Sequence, residues 1–265
     1  MSKDYYSKID RQIEQLTSSK NYIDFYDEEI VNRTGPRGTT EQPYTDYIAK
    51  RLLELNTGQE ILEPLKGISK RNDYFERSHH KVDIKFNNSS VEKIFAKSLY
   101  GHKVTKLGRI LDYEVPLSER EENIDNAKSY GEIDLISYNR KNKVLYLIEL
   151  KRASKDHKYE TLLRAGLEIA TYGHLTNYSK LRNYFKKVLA HRYKKHNLIK
   201  HQNNKFAVRY AVLYATNEIA GIPRELRPEN RDRYYNLFEL LKKLNIGVFT
   251  IDHHYPTNMH NDPWK

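Results

Sequence analysis

The chain has 265 residues, 38% of them hydrophobic and 31% charged, with a net charge of +11 and no cysteine. That balance fits one large globular domain, or a standard domain with an added lobe, and it excludes disulfide staples and cysteine-ligated zinc. No run approaches the ~18 apolar residues of a membrane span, and "MSKDYYSKIDRQIEQL" lacks the apolar stretch of a secretory signal, so a cytoplasmic protein without a membrane partner is expected.

Residues 1–85 read as an accessory, mainly helical region. The helical patterns "YYSKIDRQIEQL" and "PYTDYIAKRLLEL" are separated there by the polar "NRTGPRGTTEQP". Beyond it, "SSVEKIFAKSLY" places Val91, Ile94, Phe95 and Leu99 on one helical face, and "GRILDYEVPL" reads as a strand ended by Pro116. "GEIDLISY" and "KVLYLIELK" form a hairpin across the turn-like "NRKN". "YETLLRAGLEIATYGHL" is a helix with Leu163, Leu167 and Ala170 at helical spacing, and a basic helix runs from about Ser179 to Lys195. The strand "FAVRYAVLYA", the amphipathic helix "RDRYYNLFELLKKLN" and the short buried strand "IGVFTID" complete the order α-β-β-β-α-α-β-α-β. A hairpin combined with helix-linked strands predicts a mixed α/β sheet covered by helices, with its core unit over 86–255 and a loop-like tail over 256–265.

The hairpin holds an anomaly. Strand side chains alternate, so Val144, Tyr146, Ile148 and Leu150 fall on one face and Leu145, Leu147, Glu149 and Lys151 on the other. Both faces begin apolar, which marks a central strand, yet one ends in two charges. Asp134, on the partner strand, lies within cross-strand reach. Paired carboxylates suit a hard divalent cation such as Mg²⁺, which activates a water and polarises a phosphoryl group, while a neighbouring lysine orients the water or stabilises developing charge. The competing explanation is a surface ion pair of Glu149 with Lys151 and a turn-ending Asp134.

Asp134, an interval of 14 residues, then Glu149-Leu150-Lys151 at the end of an apolar strand resembles the active-site signature of the PD-(D/E)xK nuclease superfamily, the restriction-endonuclease-like nucleases. The resemblance runs from about Ser89 to Asp252 and includes the order of elements, since that superfamily's core is α-β-β-β-α-β. Ile133 stands where a proline often precedes the aspartate. The resemblance implies Asp134 and Glu149 as metal ligands, the main-chain carbonyl of Leu150 as a further one, and Lys151 beside the attacking water. Superfamily members often carry a carboxylate on the first core helix, and Glu92 is the candidate here, although Ser89-Ser90-Val91-Glu92 is also a capping-box pattern. Some exonuclease-like branches carry Gln-x-x-x-Tyr on the helix after the lysine, where this chain has Glu168-Ile-Ala-Thr-Tyr172. A carboxylate at residue 168 repels phosphate and suits orienting Lys151 or a metal-bound water. Glu160, Arg164, Glu168 and Tyr172 follow at i+4, which also reads as an ordinary polar stripe with a Glu160–Arg164 pair.

Lys155, Lys158 and Arg164 are candidate phosphate contacts, extended by Lys180, Arg182, Lys186 and Lys187 in a segment without acid from Ile169 to Asn217. Such a segment fits a polyanion, or simply a solvated basic helix face. The resemblance implies a Mg²⁺-dependent nuclease, with Mn²⁺ able to substitute, acting on DNA in defence, restriction or repair, and it admits a homodimer. The alternative is a catalytically inactive nucleic-acid-binding or assembly module of the same fold.

Overall fold

The computed structural model describes residues 10–12, 25–37, 40–54, 91–117, 131–152, 160–194, 206–216 and 223–252. A mixed sheet of six strands runs in sequence order: β1 (Lys103–Val104), β2 (Gly108–Pro116), β3 (Glu132–Asn139), β4 (Val144–Arg152), β5 (Ala207–Thr216) and β6 (Ile246–Asp252). The pairs from β1 to β4 are antiparallel, with short turns joining β1 to β2 and β3 to β4, and β4, β5 and β6 are mutually parallel, which requires crossovers. Helices α3 (Leu162–Leu175) and α4 (Tyr178–Lys194) make the first crossover, and α5 (Tyr235–Lys243), entered through a 3₁₀ stretch, makes the second. Helices α1 (Tyr44–Glu54) and α2 (Val91–Leu99) precede the sheet. The expected mixed α/β sheet covered by helices is present, with β1 as an extra strand too short to leave a periodic signal.

The alternation read from β4 divides two cores. Val144, Tyr146, Ile148 and Leu150 pack with Ala211 and Leu213 of β5 beneath Phe95 and Leu99 of α2. Leu145 and Leu147 pack on the other face with Val212 and Tyr214, against Leu163 and Leu167 of α3. Both faces of β4 are covered, so its residues from Val144 to Lys151 are all buried. Among the described residues no helix is long and apolar enough to cross a membrane.

The described N-terminal residues join the α3-side core. Ile30, Val31, Ile48 and Leu52 are buried in it, and two helix N-termini depend on this segment. Thr161 caps α3 by accepting from Arg164 N at 3.2 Å, while its own hydroxyl donates to Val31 O and its N–H to Asn32 Oδ1, each at 2.8 Å. Buried Asp46 of α1 accepts from Leu237 N at 3.1 Å and Asn236 Nδ2 at 2.8 Å, satisfying an otherwise orphaned donor of α5. Residues 25–54 therefore help fix where α3 and α5 lie on the sheet.

Candidate functional site

The hairpin register pairs Leu135 with Ile148, so one step back brings Asp134 opposite Glu149. The two carboxylates meet on the α3 side, where Asp134 Oδ2 also accepts from Leu150 N at 2.8 Å. Lys151, two residues beyond Glu149, points to the same side, and its ammonium lies 2.8 Å from Glu149 Oε1 and 2.9 Å from Glu168 Oε2, with Glu160 Oε2 as a third partner. An ammonium has three protons and no acceptor, and here it bonds to Glu168 and Glu149 with Glu160 as a further ion-pair partner.

The polar stripe of α3 supplies this surround. Glu160, just before the Thr161 cap, is bridged to Arg164 at 3.5 Å, and Arg164 also pairs with Asp27 from the N-terminal segment. One turn on, Glu168 receives Lys151 on Oε2 and the Tyr172 hydroxyl on Oε1 at 3.0 Å. Tyr26 meets Tyr172 edge to face, hydroxyl to hydroxyl at 3.0 Å. Gly131, at φ 99°, sits so close to the Tyr172 hydroxyl that a Cβ would overlap it. The glycine that opens "GEIDLISY" thus serves both the positive φ and the approach of Tyr172.

The electrostatics follow from burial and from excess negative charge. Burial pushes the Asp134 carboxyl up to about 7 against the opposing pull of Lys151 and the Leu150 N–H. Glu149, only 3% exposed, is raised well above the usual carboxylate range by burial and then by the charge of Asp134. Burial works to lower the Lys151 pKa, but Glu149, Glu168 and Glu160 outweigh it and raise it, so the ammonium stays charged. Burial raises the Tyr172 phenol, aided by Glu168, and raises Tyr26 to about 12.

Glu92 lies at the margin of this cluster. Its Oε1 accepts from the Arg152 N–H at 3.0 Å, and burial raises its pKa against the pull of Lys151. The carboxylate of α2 therefore ties the helix to the end of β4. Leu150, whose carbonyl the resemblance offers as a ligand, has its N–H held by Asp134 and its side chain in the opposite core.

Other expectations distribute differently. Lys155 and Lys158 lie outside the described residues. Arg164 is engaged by Asp27 and Glu160. Lys180, Arg182, Lys186 and Lys187 are exposed on α4, whose Leu181 and Phe185 are buried, and among the described residues no hydrogen bond or ion pair joins these four to the Asp134 cluster. Tyr26 and Asp27 carry no local signal in the sequence and enter only through tertiary contact.

Asp134 and Glu149 have the donor chemistry of a hard-cation site. Both offer carboxylate oxygens, their surroundings hold more acids than bases, and Glu149 Oε2 is buried with no hydrogen-bond partner. Among the described residues no group of three or more His, Cys, Asp or Glu side chains is placed to hold a metal ion. An ion here would draw on the pair together with main-chain or water oxygens, as Mg²⁺ commonly does. Comparison with known proteins returns no matching family, no matching curated protein and no matching solved structure.

Proposed function

We propose that this chain is a metal-dependent phosphodiesterase of the PD-(D/E)xK kind, with a restriction-endonuclease-like fold, and that its substrate is DNA. The observation that carries the reading is the meeting of Asp134 and Glu149 across two adjacent central strands, with Lys151 on the same side and a buried oxygen of Glu149 left without a donor. Burial raises both carboxyls and the charge of Asp134 raises Glu149 further, so the metal-free pair favours keeping a proton, which a divalent cation would displace on binding. Lys151 opposes only part of that rise, because it is shared among three carboxylates.

Asp134 and Glu149 would hold Mg²⁺ or Mn²⁺, with the Leu150 carbonyl and water oxygens completing the shell, while Glu92, whose carboxylate accepts from the Arg152 N–H, stays at the margin. The ion would supply Lewis-acid polarisation of the phosphoryl group and a more acidic water. The chain's own contribution is positional. Lys151 stays protonated and so cannot take the proton of the attacking water; it acts as a fixed positive charge for the oxygens that gain charge as the P–O bond breaks. Glu160 and Glu168 hold that charge in place, and the apolar wall of Leu145, Leu147 and α3 keeps the local dielectric low. The exposed bases of α4 would meet phosphates outside the site, giving binding that weakens steeply with salt.

The test is incubation of plasmid, linear duplex, single-stranded DNA and RNA with Mg²⁺ or Mn²⁺, alongside Glu149→Ala and Lys151→Ala. Metal-dependent cutting of DNA that both substitutions abolish is expected. No cutting, or equal cutting by all three proteins, overturns the catalytic reading; salt-sensitive binding without cutting favours the inactive module.

A further inference from the structure

The N-terminal segment reaches Lys151 by two separate routes. Tyr172 spends its one hydroxyl proton on Glu168 Oε1, so in the 3.0 Å contact between the two phenols Tyr26 must donate. The first route therefore runs in one direction: Tyr26 donates to Tyr172, Tyr172 donates to Glu168, and Glu168 accepts from Lys151 at 2.9 Å. The second runs through charge: Asp27 pairs with Arg164, Arg164 with Glu160, and Glu160 with Lys151. Two consecutive residues, Tyr26 and Asp27, thus touch the partners of two of the three carboxylates around the ammonium.

We infer that Tyr26 and Asp27 are positioning residues for Lys151, forming a clip through which the N-terminal segment sets the place of the lysine charge. The catalytic meaning of the clip rests on the nuclease reading; its structural meaning does not. Glu160 precedes the Thr161 cap, so the helix backbone alone does not hold it. Its carbonyl accepts from the Tyr214 hydroxyl at 3.0 Å, and its carboxylate is held by charge to Arg164, which pairs with Asp27 on its other side. Glu168 is on α3, yet its carboxylate can rotate, and the Tyr172 hydroxyl selects the rotamer that leaves Oε2 for Lys151. Hydrogen-bond chains of this kind polarise one another, so losing the Tyr26 donor weakens the bonds that follow. The tyrosine route is partly buried and the Asp27 side chain is 60% exposed, so Tyr26 dominates and the Asp27 contribution fades with salt.

The segment is also anchored independently of the clip. Val31 and Asn32 hold the Thr161 cap, and Ile30 and Val31 are buried in the core. Loss of the Tyr26 hydroxyl should therefore leave the fold and the ring packing in place.

The experiment uses the full chain as wild type, Tyr26→Phe, Asp27→Asn and the double variant. Two quantities are read: the rate at which an amine-reactive reagent modifies Lys151, followed by peptide mass spectrometry with exposed Lys186 as internal standard, and metal-dependent DNA cleavage. With melting temperatures unchanged, the clip predicts that Tyr26→Phe raises Lys151 labelling about fivefold and the double variant further, because local opening governs access. It predicts that kcat falls about tenfold while KM stays within about twofold, since a displaced charge costs transition-state stabilisation and not binding. Unchanged Lys151 labelling in both Tyr26→Phe and the double variant overturns the clip, whatever happens to cleavage. Raised labelling in a protein that cuts no nucleic acid upholds the clip and removes the nuclease reading. If Tyr26→Phe lowers the melting temperature, Asp27→Asn at low salt decides through the same labelling ratio.

Discussion

The two faces of β4 obey one alternation and end differently. Toward α2, Val144, Tyr146, Ile148 and Leu150 continue as apolar packing to the strand's end. Toward α3, Leu145 and Leu147 give way to Glu149 and Lys151, and there the fold brings Asp134, Glu160 and Glu168 around them. One face is held by the removal of apolar surface from water, which tolerates similar shapes. The other gathers several carboxylates around one ammonium and fails when that ammonium is lost.

That contrast orders the expected effects of substitution. Lys151→Met should be the largest, costing about 3 to 5 kcal/mol because it strands buried carboxylates; chemical denaturation measures it. Ile148→Ala, fully buried on the opposite face, should cost about 2 to 5 kcal/mol through a cavity, and the surviving folded protein should keep its cutting rate. Glu149→Gln sharpens the comparison by reversing the sign. It relieves repulsion with Asp134, so the metal-free protein should melt at the same temperature or higher while cleavage is lost.

A smaller effect is expected from pH. Asp134 is raised to about 7 in the fold, above its unfolded value near 3.8, so the fold favours its protonated form. The stability it contributes is full below the unfolded value and is lost as pH rises through about 7. Added Mg²⁺ favours the ionised pair, so the rise in melting temperature on adding Mg²⁺ should be larger at about pH 8 than at about pH 6. An equal rise at both would contradict this. The smallest change in stability, within about 0.5 kcal/mol, should follow Lys186→Glu with Lys187→Glu on exposed α4, which should instead weaken DNA binding and flatten its salt dependence.

Much of the fold was legible because period and punctuation are local properties. Every strand from "GRILDYEVPL" onward follows its pattern, and the split of β4 into two faces follows from alternation alone. The carboxylate pair was legible for the same reason, since a hairpin with a short turn fixes which residues face each other. On α3 both readings of the stripe have their contact, Glu168 beside Lys151 and the i+4 pair of Glu160 with Arg164. What stayed hidden depends on contacts far apart in sequence. Tyr26 lies 146 residues from Tyr172, and Asp27 lies 137 from Arg164, so a base that reads as a phosphate contact is found in an ion pair. Glu92 is a third case: one oxygen of its carboxylate accepts from the Arg152 N–H, 60 residues away in sequence, while Ser89 and Ser90 of the capping pattern lie outside the described residues.

The most direct measurement is a crystal soaked in Mn²⁺ and its anomalous difference map. One strong peak is expected within about 2.0 to 2.4 Å of oxygens from both Asp134 and Glu149, missing from crystals of Glu149→Gln. No peak at the pair, or a peak there that persists in Glu149→Gln, would contradict it.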